Sequence, residues 1–337
     1  MARFHRPPSV PTQVAAGLLL DYVMRPLIKY NERRGQAVRL MSQVSRRNHE
    51  RMRKNNPFRG YTPGPQDVFV MTFAKSGTNW MMQIAHQLIY HGKGEYEHLH
   101  DVVPWPDTLV MPGPLKKYAI PLEAATDWRS APEPFRVIKT HFNWDMLPSS
   151  DQAKYIAVIR DPKDVFVSNY YFVRDGVYGR SMPSVETWFE LFLSADFPIG
   201  GSWAVNTAGY WAERHRPNVM IASFKEMKRD LRGSVKNVAR FLNIDVGDDV
   251  IDEVSRRSSF ESMKADDRKF AMGKMVAWRR PGAMIRKGSQ GGSSELLTPE
   301  QQRRIDEHFI AELARLGSDF PYAEFCELAA ARTTSVL

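Results

Sequence analysis

The stretch that decides the fold is Phe69-Val70-Met71-Thr72-Phe73-Ala74-Lys75-Ser76-Gly77-Thr78-Asn79-Trp80. Its first part is apolar and partly β-branched, which predicts a buried strand over 68–73, whereas apolar residues at Trp80, Ile84 and Leu88 predict a helix. A Lys-Ser-Gly turn thus leads from a strand into a helix N-terminus. Backbone N–H groups, hydroxyls and an ammonium converge there, which favours phosphate binding. An ordinary strand-turn-helix with a surface lysine is the alternative, since no Gly-x-x-x-x-Gly-Lys precedes the turn.

Further along the chain, short β-rich runs alternate with helical runs. This alternation is typical of parallel βαβ units with helices on both faces of a sheet. We therefore predict an α/β fold, a P-loop-like three-layer α/β/α arrangement with a central, mostly parallel sheet. A last helix is expected after Thr298, with Pro299 and Gln301 in its first turn and Gly317 as its stop. The other predicted strands are 135–140, 155–159 and 219–222, and the other predicted helices are 163–173, 231–242 and 248–256.

The turn-rich residues 55–65 mark a boundary. We expect a basic, partly helical N-terminal extension over 1–63, kinked or broken at Pro26, and the main domain over 64–330. Two long stretches, 93–134 and 174–203, are rich in Pro, Gly and Trp and read as irregular insertions that build substrate walls.

Composition narrows the class of protein. Of 337 residues, 43% are hydrophobic and 25% charged, which excludes a disordered chain. The net charge of the chain is +9, and residues 1–60 account for all of it: they carry +10, from 13 Lys or Arg and three acidic residues, and the other residues carry −1. The rest is near neutral, so we expect no nucleic-acid partner, and we interpret the extension as a peripheral membrane or subunit contact. The single cysteine, Cys326, favours the cytoplasm, and the apolar run from Val14 to Leu20 is too short to span a bilayer.

Two further segments place chemical groups at the carboxyl ends of predicted strands, where open α/β sheets have their active sites. Lys139 and His141 follow one strand, and His141 is either a base or a structural histidine. Arg160 ends the next strand and Ser168 lies on the helix after it, so the two can hold an anion. Asp161 and Asp164 pairing with Arg160 and Lys163 is the alternative.

A fourth segment, 285–293, combines Arg286 and Lys287 with Gly288 and further glycines. Such a backbone can wrap a phosphate, although a mobile basic loop has the same composition. His98, His100 and Asp101 form a cluster of residue types that can ligate a metal. We interpret them as part of a loop near the substrate pocket, and we expect no metal.

Together, the four segments resemble the cytosolic-type sulfotransferase family, in the family's order across about 64–312. The resemblance implies the co-substrate 3′-phosphoadenosine 5′-phosphosulfate (PAPS) and a sulfuryl acceptor that carries a hydroxyl. It implies His141 as general base, with Lys75 and Lys139 stabilising developing charge. It also implies nucleotide contacts from Lys75, Ser76, Gly77, Thr78, Asn79, Trp80, Arg160, Ser168, Phe224, Ser258, Phe260, Met263, Arg286, Lys287 and Gly288. For Phe260, core packing is the alternative to stacking on adenine.

Three departures accompany the resemblance. Phe224 stands where animal members commonly have a tyrosine, the segment after Gly288 lacks the family's usual Trp and Lys, and the animal dimer motif is not found before Arg286. The oligomeric state therefore stays open. A kinase-like nucleotide phosphotransferase and a catalytically silent nucleotide-binding scaffold are the competing interpretations. The acceptor is expected to be hydrophobic or lipid-like, because many aromatics lie in the variable stretches: Trp105, Trp128, Trp144, Tyr170, Tyr171, Phe172, Tyr178, Trp188, Phe189 and Trp203.

Overall fold

A computed structural model describes residues 8–110, 122, 127–271, 273, 275–279, 284–286 and 292–329. Its strands are β1 (Asp67–Thr72), β2 (Arg136–Thr140), β3 (Lys154–Ile159) and β4 (Val219–Ser223). Its helices are α1 (Val10–Leu18), α2 (Arg25–Arg33), α3 (Ala37–Lys54), α4 (Thr78–Ile89), α5 (Pro162–Val173), α6 (Val185–Phe192), α7 (Trp203–Ala212), α8 (Phe224–Arg229), α9 (Leu231–Leu242), α10 (Asp248–Arg257), α11 (Phe260–Ala265), α12 (Pro299–Arg315) and α13 (Tyr322–Phe325).

The four strands form one sheet in the order β2-β1-β3-β4, and every pair is parallel. Alternate residues of β1 face opposite sides: Val68 and Val70 pack against α4, α9 and α10, whereas Phe69 and Met71 pack toward Tyr210 of α7. A further cluster joins α5, α6, α7 and α12. The three-layer α/β/α prediction is confirmed. The chain moves from β1 to β2 and then crosses to β3, so the carboxyl end of β1 is a switch point where ligands bind in such sheets.

The sequence was misleading in two places. Residues 174–203 are not irregular throughout, because they contain α6, which Ser184 caps by accepting a hydrogen bond from the Thr187 amide. Pro26 does not break the first helix. Residues 19–24 form π-helical turns that lead without interruption into α2, and Pro26 lies just after these turns.

The N-terminal helices pack on the α/β domain. Arg46 of α3 makes a bidentate ion pair with Asp196, at 2.6 Å for the shortest contact. Arg53 pairs with Asp145 at 2.6 Å, and the Glu32 carboxylate accepts from the Ser184 amide at 2.6 Å. None of the helices in the described ranges combines the length and hydropathy that crossing a membrane requires.

Candidate active site

The loop between β1 and α4 has a constrained backbone. Lys75 adopts a φ of 73° and Gly77 a φ of 100°, both in the left-handed region. A Cβ at Gly77 would lie 2.8 Å from the Phe224 ring, so the position needs glycine for two independent reasons. The Thr72 and Thr78 hydroxyls share a hydrogen bond of 2.6 Å across the base of the loop. The loop thereby presents the N-terminus of α4 at the switch point of the sheet.

The Lys75 side chain turns into the interior. Its Nζ lies 4.2 Å from the centre of the Phe172 ring and 3.2 Å from the Met284 sulfur. Burial, with a smaller contribution from the Arg160 charge, lowers the pKa of Lys75 to about 7. A buried ammonium surrounded by weak acceptors is poised to bind an anion, because an anion would replace the hydration that the lysine has lost.

Lys139, at the end of β2, lies in a similar environment. Its Nζ sits 3.4 Å from the centre of the Trp105 ring and donates to His100 Nε2 at 3.4 Å. Burial lowers the pKa of Lys139 to about 7, although the Asp107 carboxylate opposes the shift. The nitrogens of the neighbouring histidines are engaged: His98 with Ala271 and the His100 amide, and His100 with Val103 and Lys139.

His141 follows β2 directly and is held on two sides. Its Nδ1 donates to the Thr72 carbonyl at 2.9 Å, and its backbone N–H donates to the Asp107 carboxylate at 2.6 Å. Because Nδ1 carries the proton, the lone pair is on Nε2. Burial, followed by the charge of Lys139, lowers the pKa of His141 to about 3. The imidazole is thus neutral throughout the physiological range and can accept a proton at Nε2.

Arg160 links the strand ends. Its Nη1 donates to the Lys75 carbonyl at 3.1 Å, its guanidinium lies 4.3 Å from the centre of the Phe224 ring, and Asp164 is 3.5 Å away. The expected alternative pairing is therefore present, since Lys163 also lies 3.2 Å from Asp161. Even so, the buried Arg160 Nε has no hydrogen-bond partner. The Arg160 guanidinium therefore has one N–H donor that is available to a ligand.

Arg286 stands near Arg160 and Lys75, and its positive charge disfavours the charged form of both. Its Nη1 donates to Glu295 at 2.7 Å, and its guanidinium lies 4.4 Å from the Tyr171 ring centre. Glu295 lies in the segment where the family's usual Trp and Lys are missing. Lys287 and Gly288 lie outside the described residues.

Aromatic side chains form the wall beyond Gly77. Trp80 and Phe224 meet edge to face with 5.4 Å between ring centres, and Trp80 Nε1 donates to the Ser258 carbonyl at 2.8 Å. Phe260 is half-buried and faces the cavity together with Met263, so it is not a simple core residue. This wall has the flat, apolar character that a nucleobase requires.

One cavity of about 1220 Å³ joins all of these groups. The following predicted site residues, all within the part of the chain that the structure describes, line the cavity: Lys75, Gly77, Thr78, Asn79, Trp80, Lys139, His141, Arg160, Ser168, Phe224, Phe260, Met263 and Arg286. Ser76 and Ser258 are buried beside it. At its other end the cavity is lined by Asn48, His49, Met52 and Arg53 of α3. The N-terminal extension therefore forms part of the wall of the site.

The model of the sulfotransferase domain family matches residues 65–317. The chain belongs to this family. The amine sulfotransferase of Oryctolagus cuniculus is 30% identical over 76% of this chain and 82% of that protein, and human sulfotransferase 1C2 is 27% identical over 76% and 86%. A mouse sulfotransferase complexed with PAP superposes with a TM-score of 0.58 at 27% identity, covering 77% of this chain and 90% of that one.

This sulfotransferase also shares its fold with a retinol dehydratase solved with androsterone and the inactive cofactor PAP, with a TM-score of 0.68 at 20% identity over 82% of this chain and 88% of that one. The matched family region begins close to the predicted boundary at residue 64. The family assignment inferred from the four motifs and the α/β fold inferred from the alternation of strands and helices are confirmed, whereas the role of each site residue stays a prediction.

Sequence reasoning missed several residues of the sulfotransferase cavity. Asp107 is the most consequential, since it is buried and holds the His141 amide, and burial raises its pKa to about 6. It precedes His141 by 34 residues and no local pattern links the two. Of the aromatics expected near the acceptor, Trp105, Phe172, Tyr178 and Trp188 line the cavity, whereas Phe189 and Trp203 belong to the core.

Proposed function

We propose that this sulfotransferase moves the sulfuryl group of PAPS to a hydroxyl of a small hydrophobic acceptor, with His141 as the general base. The observation that carries the proposal is the meeting of His141, Lys139 and Lys75 in one cavity. The mouse relative complexed with PAP and the dehydratase complexed with androsterone are consistent with such a donor and such an acceptor. The family assignment favours sulfuryl transfer over the kinase-like and silent alternatives.

The residues present fit the donor. Ser76 Oγ, Arg160 Nε and Ser258 Oγ are buried polar atoms without a hydrogen-bond partner. Such atoms are costly unless a ligand or water satisfies them, and all three lie around the Gly77 loop and its aromatic wall. The bare backbone at Gly77 lets the Phe224 ring pack directly against the loop, where a side chain would clash. The site therefore offers unused donors to phosphate oxygens and a flat surface to a base.

We assign the donor's two anionic ends to opposite sides of the loop. The residues from Lys75 to Asn79 would hold the 5′-phosphosulfate at the N-terminus of α4, where the helix dipole favours negative charge. Arg160, Ser168 and Arg286 would hold the 3′-phosphate, and Lys287 and Gly288 would add to it. Trp80, Phe224, Phe260 and Met263 would enclose adenine, with Phe224 contributing ring surface but no hydroxyl.

The proposed chemistry follows from the positions of the three groups. PAPS, when bound, supplies an activated sulfuryl group whose leaving group is a phosphate. His141 Nε2 takes the proton from the acceptor hydroxyl, while the Thr72 carbonyl keeps its Nδ1 proton in place. Lys75 and Lys139 stabilise the negative charge that develops on the oxygens of the transferring and leaving groups. No covalent enzyme intermediate is needed, because positioning and charge stabilisation suffice for this type of transfer.

The acceptor end of the cavity is mainly apolar. Met52, Phe142, Met146, Tyr178, Ile199 and Val205 line it. Asn48, His49, Arg53, Asn143, Asp196 and Ser202 also line the cavity, although its lining as a whole is mainly apolar. A hydroxyl on a hydrophobic scaffold suits this end, because burying apolar surface binds the scaffold while His141 positions the hydroxyl. Such an acceptor could be a phenol, a steroid-like alcohol or a lipid alcohol.

The direct test supplies the purified full-length chain with radiolabelled PAPS and a panel of phenols, steroids, sugars and lipid alcohols. We expect labelled product with hydrophobic alcohols or phenols and none with sugars. Parallel reactions contain labelled ATP in place of PAPS. ATP-dependent labelling of an acceptor with none from PAPS would overturn the proposal, and it would establish the kinase-like alternative.

Arg286→Ala should weaken binding of PAP, the desulfated donor. Loss of one charge-assisted hydrogen bond to phosphate costs about 1.5–3 kcal/mol, which corresponds to about 10–100-fold in Kd. Isothermal titration with PAP measures the effect. Arg304→Ala is the matched control, because Arg304 is an exposed arginine that pairs with Glu190 on the surface and should leave Kd unchanged. Equal affinities of the Arg286→Ala variant and the wild type would place the loop outside the donor site.

Donor binding should take up protons. Lys75 and Lys139 have pKa values lowered to about 7, so at pH 8 most of each population is neutral, whereas bound phosphates favour the charged forms. Binding of PAP at pH 8 is therefore expected to absorb about one to two protons and to weaken further as the pH rises. At pH 6 the lysines are already charged and the uptake should be small. Titration calorimetry in two buffers of different ionisation enthalpy measures the uptake, and identical heats at pH 8 would contradict it.

A further inference from the structure

The first helical segment of the chain presents apolar side chains to solvent along its whole length. α1, the π-helical turns and α2 form one continuous rod over residues 10–33. We define its N-terminal apolar face by seven large side chains that are 44–74% exposed: Val10, Leu18, Leu19, Tyr22, Val23, Leu27 and Tyr30. Isolated exposed apolar residues are ordinary, but a contiguous row on one rod marks an interaction surface.

The opposite side of the rod is fixed to the domain. Gln13, Gly17 and Ile28 are buried, and the Asp21 carboxylate accepts from Trp278 Nε1 at 2.9 Å and pairs with Arg279. The Ser181 hydroxyl also donates to the Leu20 carbonyl at 2.7 Å. Because these contacts hold the rod in place, its apolar face cannot turn inward to cover itself.

The charged side chains of the rod that remain exposed are all basic. The two acidic residues of the rod, Asp21 and Glu32, are engaged with the domain and with Lys29, as their hydrogen bonds show. Arg25, Arg33 and Arg34 are exposed, and none of them makes an ion pair with a described residue. The exposed surface that the rod itself contributes is therefore apolar with basic residues beside it, which complements an anionic, amphipathic partner.

The aromatic residues fit the same partner. Tyr22 and Tyr30 lie on the face, and Trp278, which is 49% exposed, packs directly over Gly17, where an added Cβ would meet its ring at 2.3 Å. Tyrosine and tryptophan favour the boundary between lipid headgroups and acyl chains. A rod of this length spans about 36 Å, and its charged residues keep it in the plane of such a boundary.

We propose that the N-terminal apolar face binds an anionic lipid bilayer surface, with the apolar row inserted at the headgroup level and Arg25, Arg33 and Arg34 against anionic headgroups. Amphipathic helices with basic borders bind membranes by this combination of apolar burial and electrostatic attraction. A second copy of the chain suits the face less well, because a twofold contact through it would bring the arginines of both copies together.

The test is sedimentation of the full-length wild-type chain with vesicles of phosphatidylcholine and phosphatidylglycerol in a 7:3 ratio, and with vesicles of phosphatidylcholine alone. We expect binding to the anionic vesicles that falls between 0.1 and 1 M salt, and much weaker binding to the neutral ones. The variant Arg25→Gln/Arg33→Gln/Arg34→Gln should lose about 100-fold of the anionic partition coefficient.

Leu19→Asp/Val23→Asp should lower the partition coefficient at least tenfold on both vesicle types, because it removes inserted apolar surface. The matched control is Ile310→Asp/Leu316→Asp, which alters two exposed apolar residues in and beside α12 and should bind like the wild type. All altered side chains are exposed, and circular dichroism verifies that each variant is folded. Wild type that does not sediment with anionic vesicles, or binding that Leu19→Asp/Val23→Asp leaves intact, would overturn the proposal. A second contradicting outcome is a wild-type chain that is dimeric in light scattering and binds no vesicles, together with a Leu19→Asp/Val23→Asp variant that is monomeric.

Discussion

Replacement of His141 by alanine should lower kcat about 10³-fold while leaving the Kd for PAP within twofold of the wild-type value. The size follows from the 10²–10⁴-fold contribution that a positioned general base usually makes. PAP affinity should persist because the groups that we assign to the phosphates, Lys75, Arg160 and Arg286, do not hydrogen-bond to the imidazole in the structure. Single-turnover sulfuryl transfer and PAP titration separate the two effects.

The same prediction has a pH signature. Because burial and Lys139 lower the pKa of His141 to about 3, its protonation should not reduce kcat/KM between pH 7 and pH 5. An ordinary histidine, with a pKa near 6.5, would remove most of the activity over that interval. His141→Asn is the companion variant, since its amide can still donate toward Thr72 but cannot act as a base. His215→Ala alters an exposed histidine and is the control. Turnover retained by the His141→Asn variant would assign His141 a purely structural role.

The fold was predictable where a strand or helix carries its own local signal. The apolar run before Lys75 indicates β1, and the Thr298 capping box indicates the start of α12, which the structure reproduces with both reciprocal hydrogen bonds. The register then explains why the motifs meet. β2 and β3 both pair with β1, so Met71 lies between Thr140 and Ala157, and Thr72 lies beside Val158 at the same edge of the sheet. Motifs that follow adjacent parallel strands must therefore converge.

Other parts of the site could not be predicted, because they depend on contacts between distant segments. Asp107 reaches the His141 amide from a short 3₁₀ turn over Pro106–Leu109, and only the folded chain brings them together. Met52 lies on a helix that reads as a polar, arginine-rich surface segment, yet it faces the cavity. A helical period identifies which residues share a face, but not which neighbour covers that face.

The contacts of the extension show that some of its basic residues are paired within the protein. The sequence places the excess in the extension, but several of those cations are used internally: Arg46 binds Asp196, and Arg53 binds Asp145. These pairs fix α3 as a wall of the cavity rather than attract an outside partner. Arg25, Arg33 and Arg34 are exposed beside the N-terminal apolar face, whereas Arg39, Arg47, Arg51, Lys54 and Arg59 are exposed elsewhere in the extension. Part of the basic extension thus serves the site, and a separate part is available for a surface.

Lys75→Met should abolish most activity and at the same time stabilise the free protein. Methionine fills a volume similar to that of lysine but has no charge, so the variant loses the ammonium that we assign to the 5′-phosphosulfate. We expect kcat/KM for PAPS to fall about 10³-fold, the size typical for removal of a preorganised charge-stabilising donor. The Lys75 carbonyl would still accept from Arg160, so the loop should keep its path.

The stability gain follows from linkage. Burial lowers the pKa of Lys75 from 10.5 to about 7. Between these two pH values Lys75 is protonated in the unfolded chain but neutral in the folded chain, so the folded protein is destabilised increasingly as the pH falls. The loss of stability is complete below pH 7, where the folded group is also charged. Lys75→Met removes this cost, and the increase in Tm should be larger at pH 6 than at pH 9. Differential scanning fluorimetry at both values measures it, with Lys93→Met, at an exposed lysine, as the control. A variant that loses activity and is also less stable at pH 6 would indicate a damaged loop. Loss of activity together with a higher Tm would show that the fold tolerates a buried cation because the donor requires it.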